Sequence, residues 1–366
     1  MAHRIGEYAA LAGRLGVDAV AVVPGPNFTR MTGKSFHSME RPIVVFAPSD
    51  GEPAAIVPSL EMTSFDLIGF PGPVFDWRDE DGYAGAFAAL ARQMPLARVA
   101  VEGQVMRVFV HHAIARAWPG IEIIDAEAEI SGLRAIKTGD EIAALEAAIA
   151  LSEAALGEVL AGVRPGQTEA EVARRLTLAL ISHGAEGMAF GPIVAAAGNA
   201  ARPHATPRED YALAPGDALL IDFGGRKGGF AADITRTVFV GHATDEAQAV
   251  YDTVLRANEA GHAAAGPGVS AHAVDDAVVS VLEASPFAHA IRHKTGHGLG
   301  RAVHEAPWIM RGNTAPLEPG MVFTNEPGLY LDGVLGVRIE DDVLVTGTGT
   351  RCLTSFPKEL TVVGGG

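Results

Sequence analysis

Acidic residues stand in the middle of strand-like apolar runs, and this limits the possible folds more than any other feature. Residues 218–240 carry Asp222 and Asp233 in two such runs, separated by a loop containing Gly224, Gly225, Gly228 and Gly229. Two strand-like runs about a glycine-rich loop signal a β-hairpin. A hairpin symmetric about those four glycines sets Asp222 directly opposite Asp233, with Cβ atoms about 4.5–5.5 Å apart. A second segment repeats the pattern: residues 323–326 and 337–341 flank Asp332 and Gly333, and a hairpin centred on Gly333 opposes Glu326 to Glu340. Like charges opposed across strands repel, and carboxylates in apolar strands carry a large desolvation cost. Two such pairs in one domain call for positive charge between them, and a divalent cation is the simplest source.

At 366 residues the chain is long enough for two domains. Residues 3–16 have a helical apolar period through Ile5, Tyr8, Ala9, Leu11 and Leu15. A strand over 18–23 then meets Pro24, Gly25, Pro26 and Asn27, a strong turn signal. Strand-like stretches at 42–46, 54–57, 98–101 and 121–124 alternate with helix-like ones at 83–94 and 105–118. This predicts an α/β domain over 1–132. Thr138 and Glu141 form a capping box that opens a helix to about residue 163, and Pro165 and Gly166 stop it. Thr168 and Glu171 open another to about residue 183. Two more helices, near 243–265 and 270–284, lie among strands, so 133–366 reads as one α+β domain.

Composition removes several classes of function. Hydrophobic residues are 48% and charged residues 20%, which permits a sizeable core. Lys and Arg number 28 against 44 Asp and Glu, a net charge of −16, which repels phosphate backbones and disfavours nucleic-acid partners. The single cysteine, Cys352, excludes an internal disulfide and a thiolate zinc site. No apolar run approaches the roughly 18 residues of a membrane span. The N-terminal stretch lacks a signal-peptide core, so no membrane partner and a cytoplasmic protein are expected.

His293, His297 and His304 fall within one glycine-rich stretch, where Gly296 and Gly298 free the backbone to bring His297 near a ligand. His204 sits in another tight loop, just after Pro203. Histidines beside a carboxylate cluster favour a metal or acid–base site. With these motifs in hand, the sequence resembles the creatinase/aminopeptidase P/prolidase metallopeptidases, family M24B, over nearly its whole length. Residues 11–18, 27–33 and the junction 132–142 carry the resemblance outside the motifs. It implies a creatinase-like N-terminal α/β domain followed by an α+β "pita-bread" catalytic domain. It also implies five metal ligands, Asp222, Asp233, His297, Glu326 and Glu340, with His204, His293, His304 and Arg338 contacting substrate or handling protons. Phe230, Asn325 and Ala306 depart from the usual residues, and none of them is a ligand.

Four carboxylates and an imidazole suit two divalent ions, Mn²⁺ first, with Co²⁺ or Zn²⁺ as alternatives. A water shared by two such ions about 3.5–4 Å apart is acidified. By resemblance, Glu326 also accepts that water's proton, and His204 and His304 stabilise the oxyanion. Arg338 reads either as a clamp on the site or as a surface cation. The resemblance implies cleavage of the Xaa-Pro bond in short proline-containing peptides by a prolidase. The alternatives are an aminopeptidase P acting on longer peptides and a specialised amide hydrolase of the same fold. A dipeptidase must also recognise a free C-terminal carboxylate, usually with Arg; Arg301, Arg311 and the loop 33–41 are the candidates. In relatives this loop reaches over a neighbouring subunit's active site. A homodimer is therefore expected, with His37 or Arg41 contributed in trans, against the alternative of a solvated loop. Methionine aminopeptidases usually lack the N-terminal domain, and amidinohydrolases lose ligand positions. The intact ligand set and the negative charge argue against a pure binding module.

Overall fold

A computed structural model describes residues 3–364. The chain divides into two compact units between Arg134 and Ala135. The first is built on β1 (Ala19–Val22), β2 (Val44–Pro48), β3 (Ala54–Pro58), β4 (Val74–Trp77), β5 (Arg98–Val101) and β6 (Glu122–Asp125). They form one mixed sheet in the order β4-β3-β2-β1-β5-β6. Strand alternation sends Val20, Val22 and Val45 to one face and Ala19, Ala21, Val44 and Phe46 to the other. The first set packs with Ile5, Tyr8 and Leu11 of α1 (Ile5–Leu15) and with Phe28 and Met31 of α2 (Pro26–Thr32). The short α3 (Met62–Asp66) adds Phe65 to that side. The second set packs under Phe87 and Leu90 of α4 (Ala84–Gln93) and Ile114 of α5 (Val108–Ala117). A sheet covered on both faces is what the alternating pattern predicts. Elements α2, α3, β4 and α6 (Glu127–Gly132) go beyond the sequence expectation, and two of them have a clear cause. The turn signal at 24–27 opens α2, because Pro26 occupies the first helical turn, where its missing N–H costs nothing. The strand β4 was not anticipated; it pairs in parallel at the sheet edge, and Pro73 just before it masks the strand signal.

A short α6 (Glu127–Gly132) closes the first unit. In the second, α7 (Gly139–Ala161) and α8 (Glu169–Ser182) each begin with the expected capping box. They pack on the sheet formed by β8 (Ile193–Ala196), β9 (Ala218–Phe223), β12 (Ile234–Val240) and β20 (Val362–Val363), after a short β7 (Gly187–Met188). The hairpin between β9 and β12 carries β10 (Gly225–Lys227) and β11 (Phe230–Ala231). The other half repeats the plan. Helices α9 (Asp245–Ala264) and α10 (Ala271–Glu283) are followed by β13 (Gly296–Gly298), β14 (Glu305–Ile309), β15 (Val322–Asn325), β16 (Gly328–Leu331), β17 (Leu335–Arg338), β18 (Asp341–Val345) and β19 (Thr350–Cys352).

The first carboxylate hairpin is paired differently from the symmetric expectation. Asp222 lies opposite Thr235, not Asp233. Only Gly228 and Gly229, with φ of 59° and 77°, form the turn. Gly224 belongs to the strand crossing, where a Cβ would lie 1.7 Å from the carbonyl oxygen of Ala232. The register is therefore displaced by two residues. Side chains alternate with period two, so the displacement keeps both aspartates on one face and makes them diagonal neighbours. The second hairpin turns at Gly333 as expected, with Gly328 opposite Arg338. The same register resumes beyond it, with Asn325 opposite Asp341. Glu326 and Glu340 occupy the interval between these two ladders. The Glu340 N–H donates 3.1 Å to the carbonyl of Thr235, which ties the second ribbon to the first.

Candidate metal centre

Asp222, Asp233, His297, Glu326 and Glu340 line one cavity of about 640 Å³, together with His204, His293, His304 and Arg338. His297 Nε2 lies 3.4 Å from Glu326 Oε1 and 3.7 Å from Asp233 Oδ2. One donor atom each of Asp222, Asp233 and Glu340 falls within a 4.8 Å span, and the same holds for His297, Glu326 and Glu340. The two sets share Glu340. A third set, Asp233, His297 and His304, brings the exposed His304 to the edge of the cluster.

Neighbouring strands hold these groups in place. Thr235, across from Asp222, donates 2.5 Å to Glu340 Oε2 and accepts 3.1 Å from Arg338 Nε. Arg338 also donates to Asp222 Oδ2 and, at 2.6 Å, to the hydroxyl of Tyr330. Tyr330 OH lies 2.7 Å from His293 Nε2, and His293 Nδ1 lies 2.8 Å from the carbonyl of Lys294. Thr324 accepts 3.1 Å from the His297 N–H and donates 3.4 Å to Glu326 Oε1. Just behind the histidine stretch, Glu305 forms a buried 2.8 Å ion pair with Lys137.

Burial and crowding dominate the electrostatics. Asp233 and Glu340 are held well above the usual carboxylate range, first by burial and then by the neighbouring carboxylates. Burial lifts Glu326 to about 7 against the pull of Arg338. His297 is lowered to about 3 and His293 to about 4, chiefly by burial, and His304 is lowered for the same first reason. Neutral imidazoles are ligand-competent. Asp222 Oδ1 is buried and has no hydrogen-bond partner among the described residues. Converging carboxylates, an unpartnered oxygen and a neutral imidazole together fit divalent cations.

Arg301 and Arg311, candidates for a substrate carboxylate, are engaged elsewhere. Arg301 stacks over Phe230, 4.3 Å from the ring centroid, and approaches Glu141 at 3.8 Å. Arg311 is paired with Glu283 and Asp276. Neither is a cavity-lining residue. Arg338 is buried, which removes the surface-cation reading. His37 is exposed in the first unit and is not among the residues lining the cavity; Arg41 pairs there with Glu40 and Asp79. Sequence reasoning missed Tyr330, Thr235 and Lys294. Tyr330 was within reach: in the register about Gly333 it is diagonal to Arg338, and glycines face both positions.

Two family models match the chain: "Metallopeptidase family M24" over residues 143–347 and "Creatinase/Prolidase N-terminal domain" over 4–136. The chain belongs to metallopeptidase family M24. Among similar M24 proteins is a probable dipeptidase PepE of Mycobacterium tuberculosis, 33% identical, with 99% of this chain and 96% of that protein aligned. A prolidase from Thermococcus sibiricus superposes with a TM-score of 0.93 at 34% identity, covering 98% of each chain. An X-Pro aminopeptidase from Thermotoga maritima gives 0.85 at 29% identity, covering 99% of this chain and 100% of that one. The M24 match implies divalent metal ions, and the second match supplies a creatinase-type N-terminal domain over residues 4–136. Among the described residues, no helix is long and apolar enough to cross a membrane.

Proposed function

We propose that the protein is a prolidase that cleaves Xaa-Pro dipeptides, with Asp222, Asp233, His297, Glu326 and Glu340 holding two divalent ions. Residues 1–132 serve as its N-terminal domain and 133–366 as its catalytic domain. The observation that carries the dipeptide reading is Lys294. It lines the cavity with its ammonium 5.3 Å above the Trp308 ring, and among the described residues it forms no ion pair. The other cavity cations are engaged, Arg338 with Asp222 and Arg292 with Asp332. An unpaired ammonium beside the acidic centre suits the C-terminal carboxylate of a two-residue substrate.

When bound, the ions supply Lewis acidity at the scissile carbonyl and lower the pKa of a water. The chain's own residues do the rest. Glu326 would take a proton from the attacking water and pass it to the departing proline nitrogen. His204 and His304, both exposed at the cavity, donate to the developing oxyanion. Phe190, Ile193 and Val303 supply apolar wall for the proline ring and the first side chain. Tyr330 and Arg338 hold His293 against that wall. An oxygen-rich donor set favours manganese as the resident ion. A homodimer with His37 at a neighbour's site and a cytoplasmic location complete the proposal; elemental analysis checks the manganese and sedimentation the dimer.

The test is a substrate panel on protein loaded with Mn²⁺: Ala-Pro, Ala-Pro-Ala and Met-Ala-Ser. Turnover of Ala-Pro alone is expected. Equal turnover of Ala-Pro-Ala would make the protein an aminopeptidase P. No turnover of any of the three would redirect attention to a specialised amide.

A further inference from the structure

Glu326 and Glu340 lie where the strand ladder is interrupted, between the Asn325–Asp341 and Gly328–Arg338 pairs. Pro327 has no N–H to offer there. The gap is bridged from behind by one side chain of α9. Asn258, fully buried, donates from Nδ2 to the carbonyl oxygens of Asn325 at 3.1 Å and Ile339 at 3.3 Å. These are the residues immediately before the two glutamates. The amide cannot be flipped, because its Oδ1 accepts 2.9 Å from the ammonium of Lys358. The contact is reciprocal: Asn325 Nδ2 donates 2.8 Å to the backbone carbonyl of Asn258. Gly261, one turn along, keeps the helix bare for it, since a Cβ there would lie 2.5 Å from Asn325 Oδ1.

We propose that Asn258 is a positioning residue for the metal centre, its amide setting the separation of Glu326 and Glu340. The inference rests on the reading of both glutamates as ligands. Among the described residues no other side chain bridges these two carbonyls: Glu326 N–H donates to Thr295, Glu340 N–H to Thr235, and the Ile339 N–H reaches across, 3.3 Å to Pro327. Groups that orient ligands from behind typically change metal affinity or activity by about 10–100-fold when removed.

The test titrates the full-length metal-free protein with Co²⁺ and reads both the affinity and the visible ligand-field spectrum. Asn258→Ala removes the bridge. Asn258→Asp keeps the volume and the Lys358 contact but loses both donors, and covers the case in which the alanine variant does not fold. Thr253→Val, a buried change on the same helix away from the glutamates, controls for general destabilisation. Both Asn258 variants are expected to weaken Co²⁺ binding by about tenfold or more, with a changed spectrum and a fall in kcat at constant KM. Thr253→Val should change none of these. Wild-type affinity and spectrum in a folded Asn258 variant would overturn the proposal. Glu340→Gln separates the two levels of inference: if it leaves the Co²⁺ spectrum unchanged, the ligand reading itself fails. If Glu340→Gln alters the spectrum and the Asn258 variants do not, only the positioning role fails.

Discussion

Asp341 and Asp342 are neighbours on β18, and their environments are opposite. Asp341 faces the back of the strand. There it meets Arg236 at 2.8 Å, Lys358 at 2.9 Å and His262 at 2.9 Å. Burial alone would raise its pKa, yet the hydrogen bond from His262 and the charges of Arg236 and Lys358 hold it well below the usual carboxylate range. Asp342 faces forward, toward the metal-centre side. It accepts 3.3 Å from the Asp233 N–H, and burial drives its pKa well above the usual range. The back of the strand is neutralised by the chain's own cations. On the front, Asp233, Glu340 and Asp342 form no ion pair with Lys or Arg among the described residues, and the single guanidinium of Arg338, paired with Asp222, is shared by charge with Glu326 and Glu340. A fold that supplies cations to one side of a strand and withholds them from the other has left that charge for something bound.

The largest expected effect tests the front directly. Glu340→Gln should lower kcat/KM by at least about a thousandfold, because it removes several kcal/mol of metal-dependent stabilisation. The same change should raise the melting temperature of the metal-free protein at neutral pH, since a carboxyl whose folded-state pKa is raised above its unfolded value costs stability there. Asp341→Asn on the back should behave oppositely. It strips a buried partner from Arg236 and Lys358, so stability should fall by about 3 kcal/mol or more with and without metal, as read by denaturant unfolding.

Glu102 of the first unit carries the same logic without any ligand. It is buried, with Oε2 unpartnered among the described residues, and burial lifts its pKa to about 7 against the hydrogen bond from Asn27. Its folded-state pKa exceeds the ordinary 4.5, so the stability it lends is complete below that value and is lost as pH rises through about 7. The loss amounts to up to roughly 3 kcal/mol. Glu102→Gln should flatten that part of the stability profile in thermal scans from pH 4 to 9. Adding Mn²⁺ at about 100 times its Kd should stabilise the wild type by about 2.7 kcal/mol, and Glu340→Gln by much less. The smallest effect concerns the cavity wall. Lys294→Met should raise KM for Ala-Pro about tenfold, worth about 1.4 kcal/mol, and leave the melting temperature unchanged.

Much of this was legible in the sequence, because local chemistry and tertiary structure agree there. The two capping boxes open α7 and α8 where their hydrogen bonds require. The hairpin about Gly333 keeps its register because only one residue of that loop needs a positive φ. The hairpin about 224–229 misleads, because Gly224 serves a close backbone approach to Ala232 and Gly225 packs under the Leu151 side chain, and neither forms the turn. Its two aspartates still converge, since a slip of two preserves the face. Lys294 and Asn258 could not be read at all. One matters through what it fails to pair with and the other through carbonyls on distant strands, and neither fact leaves a local pattern.

The contacts of Tyr330 have a last consequence, for the imidazole of His293. The Lys294 carbonyl can only accept, so Nδ1 of the neutral ring must donate to it, and Nε2 accepts from the Tyr330 hydroxyl, whose oxygen in turn accepts from Arg338. Nδ1 therefore carries the ring hydrogen and ends on a peptide carbonyl, that of Lys294. The tautomer is dictated from outside the ring, and both nitrogens are engaged within the chain. His293 thus meets the cavity as a buttress whose polarity runs one way.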